Sequence, residues 1–309
     1  WKWEVQMTKT VGVIGLGNMG RGIAKNIRLA GHDQMVWDVS EAARNAFAET
    51  ARVTPPPEMA ASANVVIFVV PGSKEIDSIL GDMLATAGSE LLLWNFTSSD
   101  PGYTKKLAAV AAGAGVPFMD AGMTGGGAKG ADDGTMTLMI GGDADVLERS
   151  RPVLEACAGK LIHLGPSGAG HTMKVVHNLI THTNFLACSE AGRLAEAAGI
   201  ELADMIKVFN AGNARSFISE RRFPDHILSK TWDGRSRIFN LRKDVGMAVA
   251  LAEELGSPMR LGHQTLAWIQ AAVDAGMEEE DFTRMYPALD KLAETQRTDT
   301  KEISPSRPN

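Results

Sequence analysis

Two short patterns in this 309-residue chain carry the residue types that chemistry needs. The first is Gly15-Leu16-Gly17-Asn18-Met19-Gly20, which follows the apolar run Val11-Gly12-Val13-Ile14 and passes into a helical pattern over 21–30. Between a strand and a helix, G-x-G-x-x-G suits a dinucleotide pyrophosphate. The first glycine permits a tight turn, the second lets the phosphates approach the backbone, and the third lets helix and strand pack closely. A second apolar segment, 34–37, ends at Asp38, where a carboxylate would hold a ribose 2′-hydroxyl and favour NAD over NADP. The second pattern opens at Gly168-Ala169-Gly170-His171 and includes Lys174, His177 and Asn178. On a helix, Lys174 and Asn178 share a face, with His171 and Thr181 on the same stripe and His177 flanking the lysine. A lysine between Met173 and Val175 is a candidate for burial, which would lower its pKa toward the range of proton transfer. The alternative is a solvated surface lysine, the common fate of this residue type.

Two weaker patterns accompany these. Thr124-Gly125-Gly126-Gly127, after Asp120-Ala121-Gly122, reads as a cradle for a carboxylate or phosphate, or equally as a flexible turn. Lys243-Asp244 reads as a charge pair at a helix start, its carboxylate suited to the helix dipole. Histidines and cysteines show no metal-ligand spacing, so no metal is expected.

The elements that must position these residues change character along the chain. Strand-like runs at 10–14, 35–37, 65–70, 91–94, 117–119, 135–140 and 161–163 alternate with helical stretches at 21–30, 41–48, 74–85, 103–113 and 144–156. That alternation predicts an α/β Rossmann-type, doubly wound domain over residues 7–165, with a parallel sheet and helices on both faces. Ligands in such sheets bind beyond the carboxyl ends of the strands, so Val70, Pro71 and Ser98 are expected to border the cofactor. Residues 130–135 read as a turn. From 169 to about 199 the pattern is one long helix, placed to line a cleft between domains, and further helices are predicted at 202–210, 243–255, 262–275 and 281–294. An all-α substrate and oligomerisation domain over 166–295 follows, linked by the long helix. Its polar stretch 213–222 offers Arg215, Ser216, Arg221 and Arg222 either as substrate-setting groups or as ordinary surface residues.

Composition bounds the partners. Hydrophobic residues make up 44% of the chain, the net charge is −6 and no basic block occurs, which argues against nucleic acid as a partner. No apolar run approaches a membrane span. Cys157 and Cys188 are too few for a disulfide framework, and a reducing cytoplasm is the expected setting. Met7 reads as the native start, with residues 1–6 a remnant or loose extension ahead of it, and 296–309 is expected to fray.

In order along the chain, Gly15–Gly20, Asp120–Gly126, Gly168–Asn178 and Lys243-Asp244 resemble the β-hydroxyacid dehydrogenase family, which includes 3-hydroxyisobutyrate dehydrogenase and, as a larger relative, 6-phosphogluconate dehydrogenase. The resemblance runs from about residue 10 to about 292. It implies that Lys174 is the catalytic acid and base, that Asn178 holds the substrate, and that Thr124, Gly125 and Gly126 bind its carboxylate. It further implies that Ser98 lies beside the nicotinamide and that Lys243 and His177 lie near the substrate, Lys243 also serving the cofactor. The implied protein is a homodimeric or homotetrameric, NAD-dependent oxidoreductase acting on a small anionic 3-hydroxy acid or a related aldehyde. His177-Asn178 and Asp120-Ala121-Gly122 look more like the phosphogluconate enzymes. Their catalytic Glu and phosphate-binding Tyr are replaced here by Thr181 and His182. A decarboxylating sugar-acid dehydrogenase and a non-catalytic dinucleotide-binding protein stand as the alternatives.

Overall fold

The computed structural model describes residues 8–297, and the expectations placed on residues 1–6 and on the chain end from 298 lie outside the described residues. The chain separates into two compact units, Trp1–Lys174 and Val175–Asn309. The division falls inside a continuous helix, whereas the sequence pattern changes earlier, at the turn before that helix.

The first unit runs β1 (Thr10–Ile14), α1 (Gly20–Leu29), β2 (Asp33–Trp37), α2 (Glu41–Asn45), β3 (Arg52–Val53), α3 (Pro56–Ser62), β4 (Val65–Phe68), α4 (Ser73–Ala85), β5 (Leu92–Asn95), α5 (Pro101–Gly113), β6 (Phe118–Thr124), α6 (Gly127–Asp133), β7 (Met136–Gly141), α7 (Ala144–Cys157) and β8 (Ala158–His163). Among the described residues the strands form one sheet in the order β3-β2-β1-β4-β5-β6-β7-β8. The order reverses between β1 and β4, and this reversal opens a crevice beyond their carboxyl ends. The central strands are apolar on both faces because both faces are covered. In β4, Val65 and Ile67 pack with Ile23 and Ile27 of α1, while Val66 and Phe68 pack with Met59 of α3 and Ile76 of α4.

Three features depart from the sequence expectation. Residues 56–62, to which the sequence pattern assigns no element, form α3, opened by Pro56, since a first helical turn needs no N–H from its leading residues. Residues 130–135 read as a turn, but 127–133 form α6, docked on α1 where Asn26 Nδ2 donates to Ala131 O at 2.8 Å. Finally, β7 runs antiparallel to β6, because Gly125, Gly126 and Gly127, all at left-handed φ, turn the chain back at the end of β6. The sheet is therefore mixed at that edge, with β8 parallel to β7.

Helix α8 (Ala169–Ala197) starts in the first unit and continues through the second. The second unit adds α9 (Leu202–Ala211), a π-helical segment (Ile218–Leu228), α10 (Ile238–Glu254), α11 (Arg260–Asp274), a 3₁₀ turn (Phe282–Arg284) and α12 (Met285–Arg297). Its core is aromatic and aliphatic. Phe185 meets Phe282 edge-on at 4.9 Å and Phe223 meets Tyr286 at 5.5 Å, with Leu241, Val245 and Ile269 packed around them. Helix α10 begins at Ile238, five residues earlier than predicted, so Asp244 sits beyond the first turn and its role is not that of a dipole charge. Among the described residues no helix is long and apolar enough to cross a membrane.

Candidate active site

The nucleotide end of the first unit is shaped by what its glycines leave out. Gly15 sits at φ +99°, and a Cβ there would lie 2.3 Å from the Val69 carbonyl oxygen. A Cβ at Gly20 would lie 1.8 Å from the Gly15 oxygen, so the turn closes only without it. At Gly17 a Cβ would meet nothing within 4 Å: that glycine faces open space, and Gly17 and Asn18 are exposed. Leu16 and Met19 point the other way, Leu16 buried in the core and Met19 packed against it. Asp38 ties the end of β2 to this turn, its Oδ2 accepting the Leu16 N–H at 2.7 Å and its Oδ1 the Ser40 N–H at 2.8 Å. A cradle with exposed backbone at its middle glycine and a fixed carboxylate beside it fits the pyrophosphate and ribose of a dinucleotide.

The neighbouring strand ends are braced by buried polar residues. The Val70 N–H donates to Thr97 Oγ1 at 3.2 Å, the Thr97 N–H to Asn95 Oδ1 at 2.9 Å, and Asn95 Nδ2 to Ser99 Oγ at 3.2 Å. Asn95, Thr97 and Ser99 are buried, which leaves Ser98 and Pro71 as the residues turned outward. At the end of β6, Thr124 is half-buried and Gly125 and Gly126 are exposed at φ +103° and +98°.

The start of α8 is set by a buried carboxylate. Asp120, on β6, accepts the N–H of Gly168 at 2.6 Å and that of His171 at 2.9 Å, capping the helix from a strand 48 residues earlier. A Cβ on Gly170 would be 2.2 Å from the Met139 oxygen, and one on Gly122 would be 2.6 Å from Lys174 Cβ. The two glycines therefore let the helix lie directly on the sheet, with Lys174 over Gly122. Lys174 is half-buried there. His171 is buried, with Nδ1 2.7 Å from Thr104 Oγ1. The Thr104 hydroxyl also lies 3.0 Å from the Asp100 carbonyl oxygen, so it bridges the imidazole to the first turn of α5. Burial holds its pKa below the ordinary histidine value, more strongly than the nearby Asp120 carboxylate raises it.

In the second unit Asn178 is buried, and its Nδ2 donates to Asp244 Oδ2 at 2.7 Å. His177 Nδ1 lies 3.1 Å from Asn178 Oδ1, and Lys243 Nζ lies 3.9 Å from Asp244 Oδ1. Asp244 thus fixes the amide of Asn178, a partnership across 66 residues that spacing alone does not reveal. Lys243 also lines a cavity of about 430 Å³ with Arg242, His263 and Gln270. The residues of the polar stretch 213–222 make contacts within the second unit. Arg215 pairs with Glu220 at 2.6 Å and Arg221 with Asp225 at 3.0 Å, both on the surface. Arg222 lies between the rings of Phe217 and Phe282 and donates to the Gly234 oxygen, and Ser216 exchanges hydrogen bonds with Ser219 at the start of the π-helical segment.

A doubly wound sheet with this glycine turn, followed by a helical unit, is the architecture of a dinucleotide-binding protein. Residues 10–165 match the family model of the NAD binding domain of 6-phosphogluconate dehydrogenase, and 168–289 match that of the NAD-binding region of NADP-dependent 3-hydroxyisobutyrate dehydrogenase. A probable mitochondrial 3-hydroxyisobutyrate dehydrogenase of Dictyostelium discoideum is 30% identical over 92% of each chain. An NAD-dependent L-serine dehydrogenase of Pseudomonas aeruginosa is 29% identical over 91% of this chain and 98% of its own. The structure of 3-hydroxyisobutyrate dehydrogenase from Mycobacterium tuberculosis with L-serine superposes with a TM-score of 0.85 at 28% identity, over 92% of this chain and 99% of that one. The chain belongs to the β-hydroxyacid dehydrogenase family and is a nicotinamide-dependent dehydrogenase of that family.

Proposed function

We propose that this protein oxidises a small 3-hydroxy acid, or reduces the matching anionic aldehyde, with NAD in preference to NADP and with Lys174 as the acid and base. The observation that carries the reading is the placement of Lys174: a half-buried lysine laid on Gly122 by a helix start that a buried carboxylate caps. When bound, the nicotinamide supplies the hydride chemistry at its C4. The chain's own residues do the rest. Lys174 takes the proton of the reacting hydroxyl in oxidation and returns it in reduction. Asn178, its amide fixed by Asp244, donates or accepts at the same hydroxyl one helical turn along. The Thr124 hydroxyl and the N–H groups of Gly125 and Gly126 receive the substrate carboxylate. His177 and Lys243 keep the substrate-side roles that the family resemblance implies, and Ser98 and Val70-Pro71 the nicotinamide-side ones.

Relatives named for 3-hydroxyisobutyrate, L-serine and 2-(hydroxymethyl)glutarate support the substrate class, since each compound carries a hydroxyl on the carbon β to a carboxylate. Asp38 supports the preference for NAD, because a 2′-phosphate would meet a carboxylate there. Exposed Val176, Ile180 and Leu194 on α8, with Leu261 on α11, support a homodimer at least, which light scattering at micromolar concentration would register as twice the chain mass or more. The two cysteines are free and buried, with both thiols pushed up to about 12, which fits a reducing cytoplasm. Cofactor reduction over a panel of small hydroxy acids tests the whole reading. Turnover of 3-hydroxy acids with higher kcat/KM for NAD is expected; activity confined to 2-hydroxy acids, or a clear preference for NADP, would contradict it.

A further inference from the structure

A buried polar thread joins the start of α8 to the segment that carries Ser98. His171 is its middle. The His171 N–H donates to Asp120 Oδ2 at 2.9 Å, tying the first turn of α8 to β6. Its ring reaches α5 instead: Nδ1 lies 2.7 Å from Thr104 Oγ1, which lies 3.0 Å from the Asp100 carbonyl oxygen. Asp100 begins α5, its Oδ1 accepting the Tyr103 N–H at 2.8 Å, and it closely follows Ser98 in the chain. The other end of this segment is fixed by Asn95, whose side chain holds Thr97 and Ser99. His171, Thr104, Asn95, Thr97 and Ser99 are all buried. Burial keeps the imidazole pKa below its ordinary value, against the Asp120 carboxylate, the Asn95 carbonyl and the Asp100 carboxylate, which favour a proton. The ring is therefore neutral at pH 7 and acts through hydrogen bonding, not charge.

We propose that His171 is a positioning residue: through Thr104 it holds the turn of α8 that bears Lys174 in register with the Ser98 segment. The inference rests on the reading of Lys174 as the acid and base. His171 and Lys174 lie at i and i+3 of one helix and share a face, so a rotation of this turn that broke the Thr104 contact would swing the amine as well. Asp120 bonds main-chain N–H groups, and Gly170 brings no side chain. The His171 ring adds a side-chain tie from this turn to α5. Two apolar side chains would fill the same space without the cost of desolvating polar groups, so the pair contributes direction rather than bulk. A general acid and base must lie within hydrogen-bond reach of the reacting hydroxyl, and a misplacement of about 1 Å can cost on the order of 10²-fold in rate.

Variants of the full-length protein at Thr104 and His171 test this, with kcat read on the 3-hydroxy acid that wild type turns over fastest and NADH affinity read by fluorescence titration. Thr104→Val deletes the hydroxyl at nearly constant shape. It should lower kcat about ten-fold or more while the Kd for NADH changes by less than about two-fold. Thr104→Ser keeps the hydroxyl and should recover most of the lost rate. His171→Leu should match Thr104→Val, and the double variant should lose no more than either alone, because both remove one link. Multiplicative losses in the double variant, no recovery by serine, an unchanged kcat in Thr104→Val, or NADH affinity falling as far as kcat would each overturn the positioning role. Lys174→Ala is the control that separates this inference from the reading beneath it. Activity abolished by Lys174→Ala but untouched by Thr104→Val overturns the inference alone. Wild type without turnover of any 3-hydroxy acid, or activity retained in Lys174→Ala, contradicts the acid–base reading and removes the inference with it.

Discussion

The nucleotide end of the first unit and the Asn178–Asp244 pair of the second are built on different principles. The first is made of backbone: two glycines whose Cβ atoms would collide with carbonyl oxygens, a third facing open space, and a carboxylate stitched to the turn by N–H groups. The second is made of side chains: an amide on α8 fixed by a carboxylate on α10. Backbone sites tolerate almost no change in residue type where the chain closes on itself, and they bind phosphate through groups every residue has. Side-chain sites hold one functional group in one orientation and depend on a partner far away in sequence. Substrate binding and turnover should therefore be separable from cofactor binding by substitution.

Four changes sharpen or break that contrast, in descending order of effect. Gly20→Ala places a Cβ 1.8 Å from the Gly15 oxygen, so the turn cannot close. Loss of NAD binding and a fall in unfolding free energy of about 3 kcal/mol or more are expected, read by denaturant titration. Asp244→Ala strips Asn178 of its acceptor. A hydrogen bond to a charged group is worth about 1.5–3 kcal/mol, so kcat should fall roughly 10- to 100-fold while the Kd for NAD holds. An equal loss in NAD affinity would erase the distinction. Gly17→Ala adds a Cβ where nothing lies within 4 Å, so thermal stability should stay near wild type while NAD affinity drops about ten-fold. Reduced stability without reduced affinity would mean that the open face binds no phosphate.

The smallest effect concerns pH. Burial lowers the pKa of His171 below the unfolded value of 6.5, so below that pH the unfolded chain binds a proton that the folded one refuses. Stability is thus unaffected by this group above pH 6.5 and falls as the pH drops toward the folded pKa, by at most about 1.4 kcal/mol per pH unit. His32, lowered mainly by burial too, adds to the same slope. His171→Asn should flatten melting temperature against pH between about 5 and 6.5 relative to wild type. An unchanged slope would mean that the imidazole is charged in the folded protein.

How far the sequence reveals each region follows from the same contrast. Glycine spacing after an apolar run points to the nucleotide end because the geometry is local, and β1, α1, β2 and the end at Asp38 fall where the pattern puts them. The long helix is likewise legible in an uninterrupted apolar pattern. The weak points are tertiary. Asp120 follows the predicted strand 117–119, and its carboxylate caps a helix, which no spacing rule links to Gly168 and His171. Gly122 and Gly170 carry no turn; their role is close approach between a strand and α8. The segment 127–133 has poor helix propensity and becomes α6 only by docking on α1. The arginines at 215, 221 and 222 offer equal support for ligand and surface roles in the sequence, and their partners Glu220, Asp225 and the Gly234 oxygen are not signalled there.

The central claim is that Lys174 moves the proton. Steady-state kinetics on Lys174→Ala and Lys174→Arg, beside an NAD titration, test it directly. Removing a general acid and base costs about 10²–10⁴-fold in kcat, so Lys174→Ala should lose at least that much with NAD affinity intact. Lys174→Arg should not recover activity, because a guanidinium cannot give up its proton near neutral pH. Lys174→Ala retaining more than about a tenth of wild-type kcat would contradict the claim.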